Sequence, residues 1–262
     1  MSSADGAEPR PPEDLGAGVT LQDRFEAKVR ETQYRIRYLA NVHPWLYMPF
    51  ARRWHPDMEH RFVDPDTELV VEAFGRSGST FVMLAFESAQ KRPVKTAHHT
   101  HAAAQVVVAA RMGIPTLLIV REPIDATLAH MTRRKIPAKP ALQSWIRYHS
   151  HVLPYQDRLL IVPIAAISTD VGAVTRAINE RFGTSFEEFE HTPENEARLF
   201  ETIEADNFKK YGKATYWVAR PTAARLAEKD ARRREIDDPR LDKLKERALD
   251  IYRTLLPSPD DL

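Results

Sequence analysis

The 262-residue sequence contains no cysteine. That excludes a disulfide framework and a thiolate metal site, and it fits a cytoplasmic setting. No apolar run approaches the ~18 residues that a membrane span needs. Met1 to Gly18 has no apolar centre of the kind a signal peptide carries; rich in Pro, Gly, Ala and acids, residues 1–18 read as a flexible tail. Charge of one sign is also lacking. With 38 Lys and Arg against 37 Asp and Glu, the formal charge is +1, which argues against a whole-surface nucleic-acid binder. Neither nucleic acid nor a membrane is therefore expected as a partner, and oligomeric state is left open. No internal repeat is present. An apolar share of 43% suffices for one large core, so residues 19–262 are expected to form a single α/β domain that includes the C-terminal helices.

What is present centres on residues 68–86. Glu68-Leu-Val-Val-Glu-Ala-Phe74 reads as a buried strand entered through Asp64-Pro65-Asp66. Gly75-Arg76-Ser77-Gly78-Ser79-Thr80 reads as a tight loop and Phe81 to Phe86 as a helix. Such a loop brings backbone N–H groups to a helix N-terminus, where the unsatisfied amides and the helix dipole favour an anion. Phosphate or sulfate is the natural guest. The nucleotide-triphosphatase loop requires Gly, four residues, then Gly-Lys-Ser/Thr; here no lysine follows Gly78.

Strands and helices then alternate. Strands are expected at 93–97, 115–120 and 158–164, and helices at 21–38, 102–110, from Ile124, at 141–155, 170–182, 194–206, 222–236 and 239–256. Gly113 and Gly183 sit where helix-closing glycines belong, and Asp170 where an N-cap belongs. Alternation means a parallel sheet of about four to five strands covered by helices on both faces, with ligands at the carboxyl ends of the strands. Trp45, Tyr47, Phe50 and Trp54 are expected to pack the N-terminal segment on the core. Arg225, Lys229, Arg232, Arg233 and Arg234 read mainly as a solvated helix face.

Three polar clusters fall at those carboxyl ends: the 75–80 loop, His98, His99 and His101, and Arg121. Arg76-Ser77-Gly78-Ser79-Thr80 resembles the phosphosulfate-binding loop of the sulfotransferase family, Pro-Lys-Ser-Gly-Thr-Thr. Arg121-Glu122-Pro123-Ile124-Asp125 is similar to that family's Arg-Asn-Pro-x-Asp signature for the 3′-phosphate, although Ala129 stands where the family has a serine. Lys95-Thr96-Ala97-His98-His99 resembles its Lys-Thr-His segment. The resemblance covers roughly residues 68–256. It implies a P-loop-type fold and transfer of a sulfuryl group from 3′-phosphoadenosine 5′-phosphosulfate (PAPS) to a hydroxyl or amine of a small-molecule acceptor, with no metal.

On that resemblance Gly75, Arg76, Ser77, Gly78, Ser79, Thr80, Arg121 and Arg220 would hold the nucleotide. His99, or failing it His98, would be the base, and Arg76 would stabilise charge during transfer. Such transfers depend on positioning and on stabilising spreading negative charge, and histidine is the side chain that titrates near neutrality. Two plainer readings stand beside these roles: the histidines cap the following helix or fill the core, and Arg121 pairs with Asp125 or Glu122. Trp145, Tyr148 and Trp217 could stack on adenine, but aromatics at helical spacing belong to a core. The alternative activities are a P-loop small-molecule kinase and a non-catalytic nucleotide-binding protein of the same fold.

Overall fold

The structure, a computed structural model, describes residues 21–54, 56–211 and 223–256. The elements run α1 (Leu21–Ala40), α2 (Pro44–Trp54), β1 (Leu69–Ala73), α3 (Ser79–Ala89), β2 (Thr96–His98), α4 (Ala103–Met112), β3 (Thr116–Val120), α5 (Pro123–Arg134), α6 (Ala138–Val152), β4 (Leu160–Pro163), α7 (Ile164–Thr169), α8 (Val171–Phe182), α9 (Pro193–Tyr211), α10 (Ala223–Ile236) and α11 (Asp242–Leu255). The four strands form one parallel sheet in the order β2-β1-β3-β4. The first strand thus sits inside, and β1 and β3 are buried at every residue.

Period-two alternation along β3 divides the core into two layers. Leu118 and Val120 face a layer built from α1, α5, α6, α10 and α11, with Trp145 and Tyr148 fully buried in it. Leu117 and Ile119 face the other layer, where α3, α8 and α9 contribute Phe81, Val174, Ile178 and Ile203. The stripe Leu241, Leu244, Ala248, Ile251, Tyr252 and Leu255 packs into the first layer. A smaller cluster seats α2 and α4 on Val70 and Ala97.

Local chemistry sets the element ends. The Asp170 carboxylate accepts from the Ala173 amide and begins α8. Gly183 (φ 67°) and Gly113 (φ 73°) close α8 and α4 in the left-handed region, where a glycine carries no Cβ penalty.

Several expectations are corrected. The four strands among the described residues meet the expected four to five, but β2 is a three-residue strand that begins later than expected and carries His98 as its last residue. Residues 44–54 form a helix, α2, and Trp45, Phe50 and Trp54 are exposed on it rather than packed in the core. The helical phase of α2 turns these rings away from buried Met48 and Ala51. Residues 1–20, Arg220 and Trp217 lie outside the described residues.

Candidate functional site

The Gly75–Thr80 loop leaves the carboxyl end of β1 and enters α3. It turns on two left-handed residues, Arg76 (φ 74°) and Gly78 (φ 82°). Gly78 is at ease there; Arg76, which has a Cβ, is strained by the same geometry. The amides of Phe81 and Val82 return to the Gly78 carbonyl, so those of Ser79 and Thr80 begin the helix and lack an intrahelical acceptor. Ser77 is buried, and its Oγ has no protein hydrogen-bond partner. A buried donor without a protein acceptor, beside free helix amides, is what an anion-binding loop presents. Gly75 allows close packing: a Cβ there would stand 3.1 Å from Cε1 of the buried His130 ring.

The histidine segment lies beside this loop. His99 Nε2 is 3.0 Å from Thr80 Oγ1, and the Nδ1 atoms of His98 and His99 share a short hydrogen bond. The three groups form one proton chain. If the shared proton sits on His98 Nδ1, then His99 carries its own on Nε2 and donates to Thr80; if it sits on His99 Nδ1, then Nε2 accepts from the Thr80 hydroxyl. His101 Nδ1 donates to the Ala73 carbonyl at 2.9 Å, leaving Nε2 as the unprotonated nitrogen of the neutral ring. None of the three caps α4, whose N-cap is Ala102 without a side-chain bond. Burial lowers all three pKa values: His98 to about 4, with help from Arg61; His99 to about 3, with help from His98 and His101; and His101 to about 4. They are neutral at pH 7.

Glu72 holds this segment in place. Its fully buried carboxylate accepts from the Thr100 amide (2.8 Å), the Thr100 hydroxyl (2.7 Å), the His101 amide (3.0 Å) and Gln105 Nε2 (3.0 Å). His99 and His101 are both left-handed, at φ 62° and 52°. The two bonds to Thr100 and the one to His101 offset the cost of that backbone. Burial lifts the Glu72 pKa to about 7, against the pull of these donors. Sequence reasoning placed Glu72 in a strand and gave it no role; the signal was an acid inside an otherwise apolar buried strand.

Arg121 leaves β3 at the same edge. Its Nε donates to Asp125 at 2.7 Å, its Nη2 bonds the same carboxylate, and its Nη1 donates to the Arg76 carbonyl at 2.8 Å. The pairing with Asp125 is therefore real, and it coexists with a clamp on the anion loop. Three of the five guanidinium N–H groups are engaged, leaving two. Lys229, reaching across from α10, also binds Asp125, while Arg232 bonds the Met131 carbonyl. These two basic residues thus point onto α5 rather than forming part of a solvated face. Ala129 lies half-buried on α5 and offers no hydroxyl.

Lys95 is placed elsewhere. It precedes β2 and pairs with Asp64 at 2.7 Å, at the amino end of the sheet. A shallow cleft of about 280 Å³ lined by Glu68, Arg92, Thr184, Ser185 and Phe186 also opens at that end, and there Glu68 and Arg92 are paired with each other.

No family model matches the chain, and no curated protein matches it. Among solved structures, mouse sulfotransferase SULT7A1 complexed with PAP matches 74% of this chain and 92% of that chain, at 14% identity and a TM-score of 0.38.

Proposed function

We propose that the chain is a sulfotransferase that takes its sulfuryl group from PAPS and passes it to a hydroxyl or amine of a small-molecule acceptor. The observation that carries the reading is the junction of two devices at one sheet edge. An anion loop with a buried, partnerless Ser77 hydroxyl stands against a neutral histidine that is hydrogen-bonded to the loop's own Thr80. When bound, the nucleotide supplies a sulfuryl group on a phosphate leaving group.

The remaining chemistry belongs to the chain. Amides at 77–80 and the Ser77 hydroxyl hold the anion. Arg76, kept at a strained backbone position, offers a guanidinium to charge that grows during transfer. With the shared proton on His99 Nδ1 and held by His98, the Nε2 lone pair that otherwise accepts from Thr80 would take the acceptor proton as the new O–S or N–S bond forms and the S–O bond to the phosphate leaving group breaks. The two spare N–H groups of Arg121 would meet the 3′-phosphate; Arg220 would add a further cation.

A second reading has one observation behind it. Asp125 occupies three cationic N–H positions, from Arg121 and Lys229, and Ala129 provides nothing in their place, which favours a nucleotide without a 3′-phosphate. A crystal soaked with adenosine 3′,5′-bisphosphate separates the two. The proposal expects the 5′-phosphate on the 77–80 amides and the 3′-phosphate at Arg121. A nucleotide bound away from the loop contradicts it.

A further inference from the structure

Among the described residues nine large apolar side chains are conspicuously exposed, and seven of them lie on the two N-terminal helices. On α2, Trp45 (76% exposed), Phe50 (50%) and Trp54 (70%) share the outward face with Pro49 and Arg53, and Phe50 stacks on Trp54 with centroids 5.1 Å apart. The sequence of α2, Pro-Trp-Leu-Tyr-Met-Pro-Phe-Ala-Arg-Arg-Trp, contains no acid. On α1, Phe25, Val29, Ile36 and Leu39 recur at spacings of four, seven and three, opposite the buried Tyr34 and Tyr38. Exposed Lys28, Arg35 and Arg37 accompany this stripe, as does the exposed acid Glu26, and Arg35 is paired with Glu31.

We propose that the outward face of α1 and α2 docks on a lipid bilayer rich in anionic headgroups. Tryptophan and phenylalanine on a short basic helix suit the boundary between headgroups and acyl chains, and the helix lies in that plane rather than crossing. Indeed, no described helix is long and apolar enough to cross a membrane. Charge decides between a bilayer and a second copy of the chain. The α1 stripe has a heptad-like period, with Lys28 and Arg35 at the flanking positions. An antiparallel pair would set these two cations against each other, and a parallel pair would set them against Gln33 and Ala40. Neither gives an opposite charge, whereas anionic headgroups complement Lys28, Arg37 and Arg53 together. The inner side of α2 is tied to the candidate site, since the Tyr47 hydroxyl donates to the Thr100 carbonyl at 3.4 Å. A bilayer on the outer side would lie about one helix diameter, ~10 Å, from the histidine segment. The docking does not depend on the transfer reaction.

The test is co-sedimentation of the full chain with vesicles of phosphatidylcholine, with and without phosphatidylglycerol. The expected result is binding to the anionic vesicles, weakened about fivefold by Arg53→Gln and abolished by Trp45→Ser/Phe50→Ser/Trp54→Ser. All four positions are exposed, so circular dichroism of the variants should match the parent. Failure to bind anionic vesicles overturns the proposal, as does equal binding to neutral ones or binding that survives the triple substitution. A concentration-dependent dimer abolished by that triple substitution would assign the face to a second copy instead.

Discussion

Glu72 and Thr100 are joined twice, the buried carboxylate accepting from both the amide and the hydroxyl of the threonine at 2.8 and 2.7 Å. Through this pair the centre of the sheet dictates the backbone of the residues between β2 and α4, and hence where His99 stands. Glu72→Gln keeps the shape but turns one acceptor into a donor facing the His101 amide. The variant should lose about 1–3 kcal/mol of stability, the cost of one buried unsatisfied group. Urea denaturation checks this, and an unchanged midpoint would remove Glu72 from its positioning role.

Arg76 gives a sharper separation of stability from function. A left-handed residue with a Cβ costs about 1–2 kcal/mol relative to glycine, so Arg76→Gly relieves that backbone cost, which offsets what the lost side-chain contacts contribute, and the variant should stay folded. The same change removes a cation from the anion loop and should weaken nucleotide binding. Thermal melting and nucleotide titration of one variant read both effects. Unchanged affinity would mean that the guanidinium has no part in the site.

Stability should fall on mild acidification. Burial depresses the pKa of His98, His99, His101, His130 and His149 in the fold, His149 to about 3, whereas in the unfolded chain each titrates near ~6.5. The unfolded state therefore takes up protons first as pH drops below ~6.5, and each histidine can cost at most about 2 kcal/mol by pH 5. Glu72 acts in the opposite sense. Raised from 4.5 to about 7, it favours the fold at low pH and loses that contribution as pH rises through 7. Five histidines outweigh one carboxyl, so Tm should drop between pH 7 and pH 5, and His130→Leu should flatten the drop. A Tm that rises over this range would contradict the neutral state of the histidines.

Arg121, Asp125 and Ala129 can be tested as a set. Ala129→Ser restores a hydroxyl on α5 and should tighten adenosine 3′,5′-bisphosphate by up to about 1.5–3 kcal/mol, the scale of a hydrogen bond to a charged group, while leaving adenosine 5′-phosphate unchanged. Asp125→Asn releases Arg121 and Lys229 and should favour the bisphosphate in the same way. Isothermal titration with both nucleotides is the measurement; equal effects on the two would mean that no 3′-phosphate meets these residues.

Much of the frame was legible because the signals were local. The loop between β1 and α3, the Asp170 cap and the glycines that close α4 and α8 each depend on a few neighbouring residues and stand where the sequence places them. Contacts between distant residues were not legible. Nothing in the spacing joins Glu72 to Thr100, Lys229 to Asp125, or Thr80 to His99, because those pairs exist only once the sheet order is fixed. The outward placement of Trp45, Phe50 and Trp54 differs from expectation for a related reason. Composition says that aromatics prefer burial, but only the helical phase says which side of α2 they occupy.

The loop's choice of anion is tested most directly by calorimetric titration of the parent protein with adenosine 3′,5′-bisphosphate and, separately, with ATP and Mg²⁺. Tight binding of the bisphosphate without metal, weakened by Arg76→Gly and by Arg121→Ala, is the expected result. Preferential binding of ATP with Mg²⁺, or no binding of the bisphosphate at all, would contradict a PAPS-dependent sulfotransferase.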